Sequence, residues 1–153
     1  MIGLVVIDVL VVIGVSIGVG AWAPRWPDRW LARDHFPLSL WPWESAAFFR
    51  RLGVPRLARR LPELGALFGG ESKSALPGTG PAELSRYLLE VRRAEWVHWA
   101  SIASTLLLYL WSPWWLATVL MVGVSVGNLP FILILRNNRR RLTSMLARGG
   151  KSS

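Results

Sequence analysis

The chain has 153 residues, the size of a single domain, and hydrophobic residues make up 52% of it, with a mean hydropathy of +0.36. It contains no cysteine and only two histidines, His35 and His98, which excludes disulfides, thiolate metal sites and multi-histidine metal sites. The formal net charge of +9 leaves nucleic acid, an anionic membrane face or a phosphorylated substrate as partners. The long apolar runs favour the last two, so no nucleic-acid partner is expected.

The first apolar run, residues 2–22, is long enough to span a bilayer. A secretory signal peptide is the alternative, but the run lacks a basic start and its end leads into Trp22, Pro24 and Trp26. We therefore predict a first transmembrane helix over 2–22. Asp8 lies inside it and is expected either to make a polar helix-packing contact or to lie near the outer interface.

Residues 23–94 are more polar and are predicted to form a cytoplasmic interfacial segment. From Glu44 to Arg60 the pattern predicts two short amphipathic pieces, broken at Pro55. Basic helices with aromatic side chains typically lie on a membrane face, and the alternative is the solvated face of a soluble helix.

Two features follow before the next apolar run. The composition of residues 61–70 predicts a loop. Gly69 and Gly70 could offer backbone N–H groups to a phosphate, and Lys73, which follows the loop, could offer a cation. A helix is then predicted to begin at Thr79 or Gly80 and to continue into the second span.

The second and third apolar runs predict transmembrane helices over about 95–111 and 114–135. Only a short turn separates them, so they should form an antiparallel hairpin. The pairs Gly14/Gly18 and Gly123/Gly127 suggest close-packing faces, and Pro130 should interrupt the last helix. Residues 136–153 would form a basic tail.

The distribution of positive charge predicts the topology. All 18 Lys and Arg residues lie either in the segment 23–94 or in the tail from Arg136. By the positive-inside rule both belong on the cytoplasmic side, which puts the N-terminus outside. The predicted fold is thus a single all-α, multi-pass domain in the cell membrane, with three transmembrane helices and cytoplasmic amphipathic helices.

Glu95 and His98 are three residues apart, which on a helix puts both side chains on one face about one turn apart. A histidine can act as a general base that the carboxylate orients. The alternative is an interfacial pair that satisfies Arg92 or a lipid headgroup. Asn128 would lie about 12 Å inside the cytoplasmic edge, where it could donate to a developing oxyanion; alternatively, the Pro130 region is a packing kink.

Three motifs resemble a known family. They are Arg93-Ala94-Glu95-x-x-His98-Trp99, Asn128-x-Pro130 and Arg136-x-Asn138-Arg139-x-Arg141-Leu142. Upstream, Pro27-Asp28-Arg29-Trp30, Phe48-Phe49 and the glycines before Lys73 occur in the family's order. The chain from about Pro24 to Leu146 resembles the glycosyl-4,4'-diaponeurosporenoate acyltransferases, small membrane proteins of the staphyloxanthin-type carotenoid pathway.

The resemblance implies transfer of a fatty acyl group to a sugar hydroxyl of a glycosylated lipid, a glycosyl carotenoid or a related glycolipid, at the cytoplasmic face. It favours a catalytic set of His98, Glu95 and Asn128. The predicted substrate- and donor-binding residues are Arg93, Arg136, Asn138, Arg139, Arg141 and Lys73, since clustered arginines can clamp the phosphates of a donor such as acyl-CoA.

Neither a cofactor nor a metal is predicted. The expected partners are membrane lipids, the glycolipid acceptor and the acyl donor, with a homo-oligomer left open. An adaptor without catalytic activity, which binds anionic lipid or a partner enzyme, is the alternative function. For Arg139 to Arg141, the alternative to a ligand site is a signal that sets the topology.

Overall fold

The computed structural model describes residues 1–33, 35–60 and 80–149. In these ranges the chain is helical and contains no strand, which confirms the all-α prediction. The helices are α1 (Ile2–Trp22), α2 (Asp28–Leu31), α3 (Ala46–Arg51), α4 (Val54–Arg60), α5 (Pro81–Ser104) and α6 (Trp114–Gly149), with 3₁₀ segments at Ala23–Arg25 and Thr105–Leu110. The predicted loop 61–70 and Lys73 lie outside the described residues.

Two helices, not the predicted three, are long and apolar enough to cross a membrane. They are α1 with its 3₁₀ extension, Ile2–Arg25, and α6. The predicted second span, 95–111, was wrong because α5 carries charged residues as far as Glu95 and gives way to a 3₁₀ segment at Thr105. Only the stretch from Trp96 to Ser104 remains as apolar α-helix.

The apolar faces of the two candidate spans are exposed. Only 11% of each apolar window is buried inside the structure, whereas the core helix of a soluble protein would be mostly covered. Large exposed side chains on these helices include Leu10, Ile17, Val119, Val126 and Leu129. Exposed apolar area of this extent indicates a membrane protein.

A buried carboxylate joins α1 to the turn before α6. Trp111 Nε1 donates to Asp8 Oδ1 at 2.8 Å, and Ser112 Oγ donates to Oδ2 at 2.7 Å. The side chain of Asp8 is fully buried, so the predicted helix-packing contact is confirmed.

At the other end of α1, a Cβ on Gly20 would lie 3.9 Å from Val97. The segment α5–3₁₀ therefore runs antiparallel to α1, and α1 and α6 begin at the same end of the bundle.

The glycine pairs do not form the predicted packing faces. A Cβ added at Gly14, Gly18, Gly123 or Gly127 would meet no atom of the described residues within 4 Å. These glycines therefore lie away from the helix contacts of the described chain.

The break between α3 and α4 is at Gly53, which has a φ of +69°. A left-handed backbone of this kind favours glycine. The predicted break at Pro55 was wrong because a proline in the first turn of a helix removes no intrahelical hydrogen bond, and α4 begins at Val54. Ser45 caps α3 by accepting from Phe48 N at 3.2 Å.

The start of α5 follows the sequence prediction. Gly80 is the N-cap, and Glu83 Oε2 accepts from its backbone N–H at 3.3 Å. At the other end of the chain, α6 passes through Pro130 without ending and continues to Gly149. Most of the predicted tail is therefore helix.

Two hydrophobic clusters hold the helices together, one between α5 and α6 and the other between α1, the second 3₁₀ segment and α6. One joins the first half of α5 to the second half of α6 through Leu84, Tyr87, Leu88, Val91, Leu135 and Leu142. The other joins Val12, Leu108 and Ala117 near the opposite end. Along α5 and α6, Glu95, His98 and Asn128 lie between these clusters, and Arg136 and Arg139 lie beside the first.

Candidate functional site

The site includes a histidine–asparagine pair at the contact between α5 and α6. His98 Nδ1 lies 2.7 Å from Asn128 Oδ1. Nδ2 of the same amide donates to the Val124 carbonyl at 2.8 Å, which sets the orientation of the amide. Because Oδ1 can only accept, His98 Nδ1 must carry the proton, and the lone pair of the neutral ring lies on Nε2.

An aromatic ring fixes the plane of the imidazole. Phe131 stacks on His98 with ring centroids 5.1 Å apart and an interplanar angle of 6°. Phe131 follows Asn128 by three residues, so both side chains lie on one face of α6. One helix face thus fixes both the tautomer and the plane of His98.

Glu95 lies one turn earlier on α5 and is fully buried between two arginines. Arg136 Nη1 donates to Glu95 Oε1 at 2.8 Å, and Arg139 Nε lies 3.5 Å from Oε2. Burial raises the pKa of the Glu95 carboxyl above its ordinary value, while the charges of Arg139 and Arg136 act in the opposite direction.

Arg136 connects Glu95 to the chain segment before α3. Its guanidinium donates to both oxygens of Glu44 at 2.5 Å and to the carbonyls of Pro37 at 3.0 Å and Ser39 at 2.7 Å. With the bond to Glu95, all five N–H groups of Arg136 are used. Arg139 donates to the neighbouring carbonyl of Leu38 and is itself fully buried.

These contacts change the roles expected for two residues. Glu95 was expected to orient His98, but its carboxylate is held by Arg136 and Arg139, and Asn128 occupies the orienting position at Nδ1. Asn128 was expected to donate to an oxyanion, but its N–H donates to Val124. A buried carboxylate is stabilised best by fixed cations, which explains why Glu95 pairs with arginine rather than with the histidine.

The predicted phosphate-binding arginines are mostly held within the protein. Arg136 and Arg139 are buried in the network described above. Arg93 is also buried, donating to Asp28 Oδ1 at 3.1 Å and pairing with Glu90. These three guanidinium groups therefore stabilise the packing of α5, α6 and the residues before α3.

The remaining predicted binding residues differ in exposure. Arg141 is exposed and Asn138 is partly exposed on α6, so both are accessible to a ligand. Lys73 lies outside the described residues. The structure thus brings His98 together with Asn128 and Glu95 together with Arg136 and Arg139, in adjacent turns of the same helix pair.

Two residues of the site were not predicted from the sequence. Glu44 could have been noticed because it is the only acidic residue between Asp34 and Glu63. Phe131 could have been noticed because it lies one helical turn after Asn128.

In the described residues, these features define a helical protein with two candidate membrane spans and a polar site, with one oriented histidine, at the contact between α5 and α6. The chain belongs to the glycosyl-4,4'-diaponeurosporenoate acyltransferase family, whose family model matches residues 27–148. The match includes His98, Asn128 and the buried arginines, and it confirms the resemblance drawn from the motifs. Membership of this family supports the interpretation of the protein as an acyltransferase.

Curated relatives carry the same name. Proteins called glycosyl-4,4'-diaponeurosporenoate acyltransferase from Staphylococcus aureus strains USA300 and Newman are each 31% identical over 64 residues. These residues are 42% of this chain and 38% of the relatives, so the match spans well under half of their length. No solved structure matches the chain.

Proposed function

We propose that the protein is a membrane O-acyltransferase that transfers a fatty acyl group to a sugar hydroxyl of a glycosylated lipid, a glycosyl carotenoid or a related glycolipid. The observation that carries the proposal is the His98–Asn128 hydrogen bond of 2.7 Å, which leaves the lone pair of the neutral ring on Nε2. Family membership supplies the reaction class.

In the proposed reaction His98 is the general base. Nε2 takes the proton of the acceptor hydroxyl as its oxygen attacks the carbonyl carbon of the acyl donor. For a thioester donor such as acyl-CoA, the carbon–sulfur bond then breaks, and the imidazolium returns the proton to the leaving thiolate. Asn128 holds Nδ1–H throughout and stabilises the orientation of the ring.

The depth of His98 suits substrates at a membrane surface. It lies one turn from Glu95 on α5, where the charged half of the helix meets the apolar half. The arginines lie on the charged side of this boundary, and by the positive-inside rule we infer that this side faces the cytoplasm. An acyl chain would then lie along the exposed apolar faces of α1 and α6, with its carboxyl end near the histidine.

The test is acyl transfer by purified protein in lipid vesicles. With a glycolipid acceptor and acyl-CoA, we expect His98→Ala to lower kcat by about 10²- to 10⁴-fold, the contribution of a general base. His35→Ala is the matched control, since His35 is the other histidine and is exposed. Near-normal turnover of His98→Ala would remove the proposed base.

The same assay separates the adaptor alternative. An adaptor would show no transfer by the unaltered protein, and its partner binding would not change with His98→Ala. Mass spectrometry of lipids from cells with and without the gene adds an independent measurement, because a difference of one acyl group would identify donor and acceptor together.

A further inference from the structure

Five arginines form an exposed cationic surface on α3 and α4. We define this cationic surface as Arg50, Arg51, Arg56, Arg59 and Arg60, all of which are exposed. The stretch 45–60 contains no acidic residue. None of the five forms an ion pair with a residue in 1–33, 35–60 or 80–149. Within these ranges, the positive charge is directed outward rather than used in packing.

The surface is held rigidly to the rest of the protein. Phe49 on α3 and Val54 at the start of α4 are almost fully buried, and both helices contact α6. The residue before the α3 cap is Glu44, which Arg136 grips with two hydrogen bonds. The position of the five arginines relative to α6 is therefore set by buried contacts.

That position coincides with the end of the apolar run of α6. Arg136 immediately follows Leu135, the last residue of that run, and it binds the segment that leads into α3. Trp41 and Trp43 are about half exposed at the same level, with ring centroids 4.4 Å apart. Tryptophan prefers the boundary between lipid tails and headgroups, so we expect this segment, and the cationic surface that follows it along the chain, at the depth of the headgroups.

We propose that this cationic surface binds the headgroups of anionic phospholipids. Guanidinium groups match phosphate oxygens in charge and geometry, and juxtamembrane basic clusters are attracted to anionic leaflets. The bound lipids hold α3 and α4 flat against the membrane and so keep Glu44 in place against Arg136. The inference does not depend on acyl transfer.

The test measures lipid binding by the full chain in detergent, using native mass spectrometry. Phosphatidylglycerol and phosphatidylcholine with identical acyl chains are compared for the unaltered protein and for Arg59→Gln/Arg60→Gln. We expect phosphatidylglycerol to bind more tightly than phosphatidylcholine. The double variant should weaken phosphatidylglycerol alone, by about fivefold for each arginine removed. A variant with all five arginines changed to glutamine should lose the preference.

Matched controls make the result decisive. Changing the same five residues to lysine keeps the charge and should retain the preference, while Arg148→Gln changes an exposed arginine far along α6 and should have no effect. Circular dichroism verifies the helix content of each variant. The proposal would be overturned if both lipids bound equally, or if the preference for phosphatidylglycerol survived the removal of all five arginines. It would also be overturned if inorganic phosphate competed as well as phosphatidylglycerol does, or if a single-stranded RNA bound more tightly than the lipid.

Discussion

At the residue scale, the proposed chemistry depends on which ring nitrogen of His98 carries the proton. A neutral imidazole has two tautomers, and only the one with a lone pair directed at the substrate can serve as a base. In this protein the Asn128 carbonyl oxygen at 2.7 Å selects the tautomer, and Val124 in turn holds the amide. A single hydrogen-bond chain along α6 therefore sets the state of a residue on α5.

Asn128→Leu tests this chain of contacts. The change keeps a similar volume but removes the acceptor for His98 Nδ1–H. We expect kcat to fall by about 10- to 100-fold, since losing a buried hydrogen bond costs about 1–3 kcal/mol. KM for the acceptor should change little. Acyl-transfer kinetics provide the measurement, and Asn128→Asp, which keeps an acceptor oxygen, should retain more activity than the leucine variant.

The ion pairs of Glu95 with Arg136 and Arg139 predict a role in stability rather than in the orientation of His98. Glu95→Ala would leave Arg136 and Arg139 in a buried site without their shared counter-ion. We expect a loss of about 3–5 kcal/mol in unfolding free energy, which is typical when one partner of a buried ion pair is removed. Thermal and denaturant unfolding in detergent micelles would measure it.

Glu90→Ala is the control for this change. The Glu90 side chain is 32% exposed, and Arg93 keeps Asp28 as a partner, so the loss should be about 1 kcal/mol or less. Equal losses for the two variants would contradict the structural role of Glu95.

At the scale of secondary-structure elements, α1 is joined to the others by few polar contacts. Asp8 alone binds both Trp111 and Ser112, at the turn that separates the 3₁₀ segment from α6. The glycine pairs that suggested tight packing face away from the described helices. The position of α1 therefore depends on the Asp8 contacts and on apolar packing near Val12.

Asp8→Ala should loosen α1. The change leaves the Trp111 N–H and the Ser112 hydroxyl without their acceptor, which costs about 1–3 kcal/mol. We expect a lower unfolding temperature in micelles and faster proteolysis near residues 111–113. Asp28→Ala is the control, because the Asp28 side chain is 70% exposed and should cost about 1 kcal/mol or less. Unchanged stability of Asp8→Ala would show that the Asp8 contacts do not hold α1.

At the scale of the whole molecule, α1 and α6 begin at one end, and the buried arginines lie near the other. Since the chain contains no cysteine, single cysteines can report sidedness without background. The second half of α5 and the 3₁₀ segment run antiparallel to α1 and return the chain to the end where α1 begins, although they do not form one long apolar helix. We therefore expect Ile2→Cys and Trp114→Cys to react with a membrane-impermeant maleimide in intact cells, and Arg141→Cys to react only in inverted vesicles. Val12→Cys, which is buried, should react in neither. Labelling of Arg141→Cys from outside would reverse the proposed topology.

The sequence by itself determined the features that depend on neighbours along the chain. Apolar length predicted the helices of α1 and α6, and the cap position at Thr79 or Gly80 predicted the start of α5, because span length and capping are local. The family motifs likewise needed no structure.

Only the tertiary structure decided which polar groups meet. Glu95 and His98 share a helix face, yet one pairs with Arg136 and Arg139 and the other with Asn128. Glu44, which lies 51 residues before Glu95 along the chain, also pairs with Arg136. Buried charge and hydrogen-bond partners depend on three-dimensional distance and desolvation, which spacing along one helix does not specify.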